Sequence, residues 1–150
     1  MDELDRAILA RLQHNVRQTN RELADTLGVA PSTCLARVRA LRERGIIRGA
    51  HAEVDLGALG RGTQAIISLK IRPQAFGSAS AFQRYVAELP ETVAVFMVSG
   101  NSDFLVHVAV ADTAHLREFV LTLAKRQEIA DLRTSIVFEH TRKQVVEPLH

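Results

Sequence analysis

Two hydrophobic rhythms divide the chain. Up to about residue 45 the apolar positions recur at helical spacing, and beyond about residue 62 they fall in strand-like runs separated by two further helical stretches. Leu4, Ile8 and Leu12, with Ala7 beside them, predict an amphipathic first helix, and Asp2 and Asp5 put negative charge at its positive end. Thr19-Asn20-Arg21-Glu22 has the spacing of a capping box, in which Thr19 and Glu22 satisfy each other's backbone donors. The helix it opens turns Leu23, Ala24 and Leu27 inward and stops at Gly28, a residue free to adopt the left-handed conformation. A third helix starts at Pro31 or Ser32, runs to about Arg44 and ends at Gly45. Ile46-Ile47-Arg48 and His51-Ala52-Glu53-Val54 then predict a short two-stranded wing.

Asp55 to Gly62 holds three of the eight glycines within six residues, the composition of a linker or hinge. Beyond it, Ala65–Ile71 reads as a strand and residues from about Ser80 to Leu89 as a helix facing inward with Phe82, Tyr85, Val86 and Leu89. Val93–Val98 and Phe104–Val110 read as strands flanking the tight turn Gly100-Asn101-Ser102-Asp103. A helix from about Thr113 to Arg126 buries Leu116, Phe119, Val120 and Leu123, and Ile136-Val137-Phe138 belongs to a last strand. The order βαββαβ is the ferredoxin-like arrangement, an antiparallel sheet with two helices on one face. The expected fold is therefore α+β, with a winged helix-turn-helix over residues 1–54, a linker over 55–63 and a βαββαβ domain over 64–150.

Two helices joined by a short glycine-containing turn make the helix-turn-helix unit, whose second helix enters the DNA major groove. On the third helix Cys34, Val38 and Leu41 form the inward stripe, while Ser32, Ala36, Arg39 and Ala40 point roughly the opposite way. Small and polar residues there allow close approach to base edges. Arg39 suits a bidentate contact with guanine, and Ser32 and Thr33 suit base edges or phosphate. Arg37, Arg42 and Arg44 lie on the flanks, where phosphate contact is the natural role; for Arg37 a structural ion pair with an acid of a neighbouring helix is an equal alternative.

Charge sharpens this picture through its distribution. The whole chain carries a formal net charge of only +2, but residues 37–48 gather five arginines against the single acid Glu43, and every cation before residue 63 is arginine. A local basic patch of this kind is what phosphate contact requires. Composition excludes other classes. With 47% hydrophobic residues the chain can fill a core, yet no apolar run approaches a membrane span, and the N-terminus lacks the regions of a signal peptide. The single cysteine, Cys34, rules out an internal disulfide framework and suits a reducing compartment, so a cytoplasmic location is expected. The six histidines show no metal-ligand spacing, and no nucleophile elbow, phosphate loop or cofactor motif occurs, which argues against an enzyme and against a metal or redox sensor.

The turn at 100–104 carries the second candidate chemistry. Gly100 lets backbone N–H groups approach an anion such as an α-carboxylate, Asn101 adds amide donors and an acceptor, and Asp103 offers a carboxylate to an α-ammonium group. Thr134 and Ser135 would complete a polar rim. The same residues also suit a hairpin that merely has to turn.

The chain resembles the Lrp/AsnC family, the feast/famine regulators of bacteria and archaea. The resemblance runs through Leu4-Asp5-Arg6-Ala7-Ile8-Leu9, Arg21-Glu22-Leu23-Ala24, Pro31 to Leu41, Gly45-Ile46-Ile47-Arg48-Gly49 and Val98 to Leu105, and so spans essentially the whole sequence. It implies a DNA-binding transcriptional regulator with a C-terminal domain that binds small molecules and oligomerises. It also implies dimers formed through the C-terminal sheets, further assembly into tetramers or octamers, and an amino-acid effector bound between dimers near Gly100, Asn101, Ser102, Asp103 and Phe104. The family often has Tyr where this chain has Phe104.

Overall fold

Each of the three N-terminal helices starts and stops where its own end residues dictate. The first, α1 (Glu3–His14), is capped by Asp2, whose Oδ1 accepts the Asp5 N–H at 2.9 Å. The second, α2 (Asn20–Leu27), opens with the full capping box: the Glu22 N–H donates to Thr19 Oγ1 at 3.2 Å and the Thr19 N–H to Glu22 Oε2 at 2.7 Å. Gly28, at φ +65°, ends it. The third, α3 (Pro31–Glu43), takes proline in its first turn and closes before Gly45, at φ +67°. Ile8, Leu23, Ala24, Cys34, Val38 and Leu41 are buried together where the three helices meet, with Leu4, Leu12 and Leu27 packed around them. Full burial of each large aliphatic side chain stabilises this small core by roughly 1.5–3 kcal/mol.

The computed structural model describes residues 1–149. They fall into two units, Met1–Ala52 joined by the segment 141–149, and Glu53–His140. The C-terminal segment, which periodicity leaves with residues 64–150, packs instead with the helices. The Gln13 amide holds Val146 from both sides, donating from Nε2 to its carbonyl at 3.1 Å and accepting its N–H on Oε1 at 2.8 Å.

The expected wing strands do not form: residues 46–54 carry no strand. Ile46 and Ile47 spend their N–H groups on the Leu41 carbonyl, at 2.9 and 3.1 Å, and so finish α3. The 51–54 stretch then pairs with no strand, and so short a ribbon is not stable by itself. The glycine-rich stretch is also more ordered than a loose linker. Asp55 Oδ1 accepts the Ala58 N–H at 2.6 Å, the Arg61 N–H reaches the Leu56 carbonyl at 2.8 Å, and Gly60 supplies the left-handed residue at φ +72°.

The second unit contains β1 (Thr63–Ile71), a 3₁₀ turn (Pro73–Ser78), α4 (Ala79–Glu88), β2 (Thr92–Met97), β3 (Phe104–Val110), α5 (Thr113–Ala124) and β4 (Ile129–Val137). The sheet order is β2-β3-β1-β4 and every pairing is antiparallel. Alternation decides the faces. Ala65, Ile67, Leu69 and Ile71 of β1 and Phe104, Val106, Val108 and Val110 of β3 are buried with Phe82, Val86, Leu116, Phe119 and Leu123 of the two helices. The last strand begins seven residues before Ile136 and stops short of Phe138, which is fully exposed. Asp131 and Arg133 masked it in the sequence, because on an edge strand they alternate outward while the backbone pairs with β1.

Candidate nucleic-acid interface and effector site

The outward side of α3 is built by the inward one. Cys34, Val38 and Leu41 anchor the helix in the core, so Ser32, Thr33, Ala36 and Arg39 are exposed and Ala40 sits half-buried at the edge. Arg39, Arg42 and Arg44 are exposed and have no ion-pair partner among the described residues. Leu35, 39% exposed, belongs to the same surface and was not singled out in the sequence. Its position three residues after Ser32 and four before Arg39 is the signal that could have found it. It adds an apolar group of the kind that contacts a thymine methyl.

Arg37 is placed differently from the other arginines. Its Nη1 lies 2.7 Å from Asp2 Oδ2 and 3.4 Å from Asp5 Oδ1, so of the two alternatives for this residue the ion pair is the one formed. The cap bond from the Asp5 N–H, and after it the guanidinium, holds the Asp2 carboxyl below the usual carboxylate range. At the start of α3, Asn20 Nδ2 donates to the Pro31 carbonyl at 2.8 Å, joining the first turns of α2 and α3.

In the second unit the β2–β3 loop is closed by the Val98 N–H donating to the Asp103 carbonyl at 2.9 Å, with Gly100 at φ +110°. Asp103 ties this loop to β1. Its N–H donates to the Leu69 carbonyl, and its Oδ2 accepts the Ile71 N–H, both at 2.8 Å. One oxygen of the carboxylate meant for an α-ammonium group is therefore already used by the fold. Gly100 and Asn101 are exposed and Ser102 is half-buried, and Lys70 Nζ reaches the Asn101 carbonyl at 3.5 Å.

Three further site candidates are located elsewhere. Phe104 is buried against Phe82, ring centroids 5.6 Å apart, and what it contributes at the loop is packing rather than a ligand-facing surface. Thr134 and Ser135 lie in mid-β4 opposite Ile67 and Ile66, whereas the loop sits at the Leu69–Ile71 end of β1. Successive strand residues point to opposite faces, so Thr134 shares the helix side and Ser135 the open side. Within one chain they do not close a common rim around Asp103. A cleft of the unit lies elsewhere again, between Arg72, Gln74, Lys125, Arg126 and Glu128, with Arg126 held over the Tyr85 ring at 4.2 Å.

Residues 1–48 match the model of the winged helix-turn-helix DNA-binding domain, and residues 64–146 match that of the Lrp/AsnC ligand binding domain. The chain belongs to the Lrp/AsnC family. Among its relatives are the HTH-type transcriptional regulator AldR of Mycolicibacterium smegmatis, 41% identical over 95% of this chain and 84% of that one, and the leucine-responsive regulatory protein of Rhizobium meliloti, 34% identical over 95% and 92%. Of solved structures, a transcriptional regulator of Neisseria meningitidis in complex with L-Met superposes with a TM-score of 0.89 at 32% identity, covering 99% of this chain and 96% of that one. The AsnC of E. coli does so with a TM-score of 0.87 at 27% identity, covering 99% of both chains.

As an Lrp/AsnC regulator the chain thus joins a DNA-binding helix-turn-helix to a ligand-binding βαββαβ domain. The sheet side away from α4 and α5 bears Ile66, Ala94, Phe96, Leu105 and Val137, with Phe96 54% exposed. Among them His107 Nε2 meets Gln64 Oε1 at 2.8 Å, and its ring lies 5.8 Å from that of His140. Burial, with the charge of His140, holds His107 below the usual imidazole value.

Proposed function

We propose that this Lrp/AsnC regulator reads double-stranded DNA with the exposed side of α3 and that an amino acid bound around the 98–103 loop modulates the reading. One observation carries it: Ser32, Thr33, Leu35, Ala36 and Arg39 form a small, exposed surface whose guanidinium has no ion-pair partner among the described residues. Arg39 is assigned to a guanine, Leu35 to a thymine methyl, Ser32 and Thr33 to base edges or phosphate, and Arg42 and Arg44 to phosphates. Ala36 and Ala40 leave room for the bases.

The effector reading is supported by the L-Met complex of the Neisseria relative and by the exposed backbone of Gly100 and Asn101. In this chain the free oxygen of Asp103, Asn101 and Ser102 are its polar contacts, and no metal or cofactor enters. The apolar open sheet side supports a two-fold dimer joined face to face, as the family resemblance implies, with tetramers or octamers built from it. A two-fold dimer carries two copies of α3, so the operator is roughly palindromic with half-sites about 34–36 Å apart. The protein acts in the cytoplasm beside its DNA, by binding and not by catalysis. A ligand shifts its assembly only through unequal affinity for two arrangements.

The test is a melting screen against the twenty amino acids, followed by operator titration with and without each hit. Binding of a ligand to the folded state alone raises the melting temperature. At least one amino acid should do so and also change operator affinity. If none of the twenty does either, the effector reading fails.

A further inference from the structure

We propose that Arg37 and Asn20 are positioning residues that set the rotation and the start of α3, and that Arg37 serves DNA recognition through Asp2 and Asp5 instead of touching phosphate. Asp5 is 4% exposed, the one buried charged side chain among the described residues. A buried carboxylate needs a cation, and Arg37 supplies it while also engaging Asp2. Around this guanidinium two carboxylates face one positive charge. Its charge is thus already taken up within the fold, which leaves little to attract a phosphate. Arg42 and Arg44 have no such partners among the described residues.

Helix geometry turns this clamp into a pointing device. At 3.6 residues per turn, Arg39 lies about 200° around the axis from Arg37. Fixing Arg37 against the start of α1 therefore aims Arg39 away from the core. The second attachment lies at the beginning of the same helix, where the Asn20 amide holds the Pro31 carbonyl at 2.8 Å. One bond sets where α3 starts and the other sets how it is rotated. Asp2 links the clamp to α1 itself, since its Oδ1 caps that helix while its Oδ2 takes the guanidinium.

The test uses the full-length protein, a duplex operator selected from a randomised pool by the wild type, and a random duplex. Affinities are measured between 50 and 200 mM salt, concentrations over which phosphate contacts reveal themselves through counterion release. Arg42→Gln is the reference for a lost phosphate contact and should flatten the log–log salt slope by about 0.9. Arg37→Gln should weaken operator binding roughly tenfold, about the loss of one good base contact, with an unchanged slope. Asp2→Asn gives the sharper contrast, because asparagine still caps α1 but no longer carries the charge. Removing an acid from a DNA-binding unit ordinarily tightens binding; here it should weaken operator binding while leaving the random duplex unaffected. Asn20→Ala should likewise narrow the preference for operator over random duplex. A slope flattened by about one in Arg37→Gln, or tighter or unchanged operator binding in Asp2→Asn, overturns the assignment of Arg37. An unchanged preference in Asn20→Ala overturns that of Asn20. Should Arg37→Gln fail to fold, Asp2→Asn decides alone.

Discussion

Replacing Asp103 with alanine removes a hydrogen bond that the sheet cannot replace. Ile71 is 2% exposed and sits where the β1–β4 register shifts, so its N–H is filled by Asp103 Oδ2 at 2.8 Å. A hydrogen bond to a charged group contributes about 1.5–3 kcal/mol, and a buried donor left unsatisfied costs about 1–3 kcal/mol. Asp103→Ala should therefore destabilise the second unit by about 2 kcal/mol. For a domain of this size each kcal/mol moves the melting temperature by about 4–8 °C, so a drop of about 8–16 °C is expected. Asp103→Asn keeps an acceptor oxygen and should lose less than half as much. Thermal melts followed by far-ultraviolet circular dichroism, with urea titrations beside them, measure both variants. An Asp103→Ala melt within about 2 °C of wild type would refute the reasoning, since it would mean that the Ile71 N–H finds another partner or water. The asparagine variant then becomes the proper probe of effector binding, because it alters the charge with the least damage to the fold.

Two further predictions concern titratable groups. Cys34 is fully buried and burial raises its thiol above the ordinary value, so a thiol reagent should react with the native protein only through unfolding, at a rate that follows denaturant concentration; fast labelling in native buffer would contradict the packing. His107 has its pKa lowered by burial and by His140. The folded state thus disfavours the proton that the unfolded chain accepts near pH 6.5, and its contribution to stability is present above that value and lost as pH falls through it. Proton NMR should find His107 titrating below the free imidazole, and His107→Gln should flatten the loss of stability between pH 7 and 5; an identical pH profile in the variant contradicts this.

The helical unit was legible because its signals are local. The Thr19–Glu22 box, Gly28, Pro31 and the Cys34–Val38–Leu41 stripe each act within a few residues of chain, and each element stands where they put it. The wing failed because a strand needs a partner that no local pattern supplies, and the N–H groups of Ile46 and Ile47 had already gone to Leu41. Asp103 looked available because its partner, Ile71, lies 32 residues away. Phe104 is an instructive case, since alternation with Val106, Val108 and Val110 already put it on the buried stripe of β3. The hold of Gln13 on Val146 spans 133 residues and had no sequence signal at all.

The outward face of α3 is tested most directly by selecting duplexes from a randomised pool with wild-type protein and with Arg39→Ala. The wild type should enrich a roughly palindromic site with a guanine in each half. Arg39→Ala should lose the preference at that position, worth about 1–3 kcal/mol, while keeping the salt dependence set by Arg42 and Arg44. The same enriched site from both proteins, bound with the same affinity, would contradict the account.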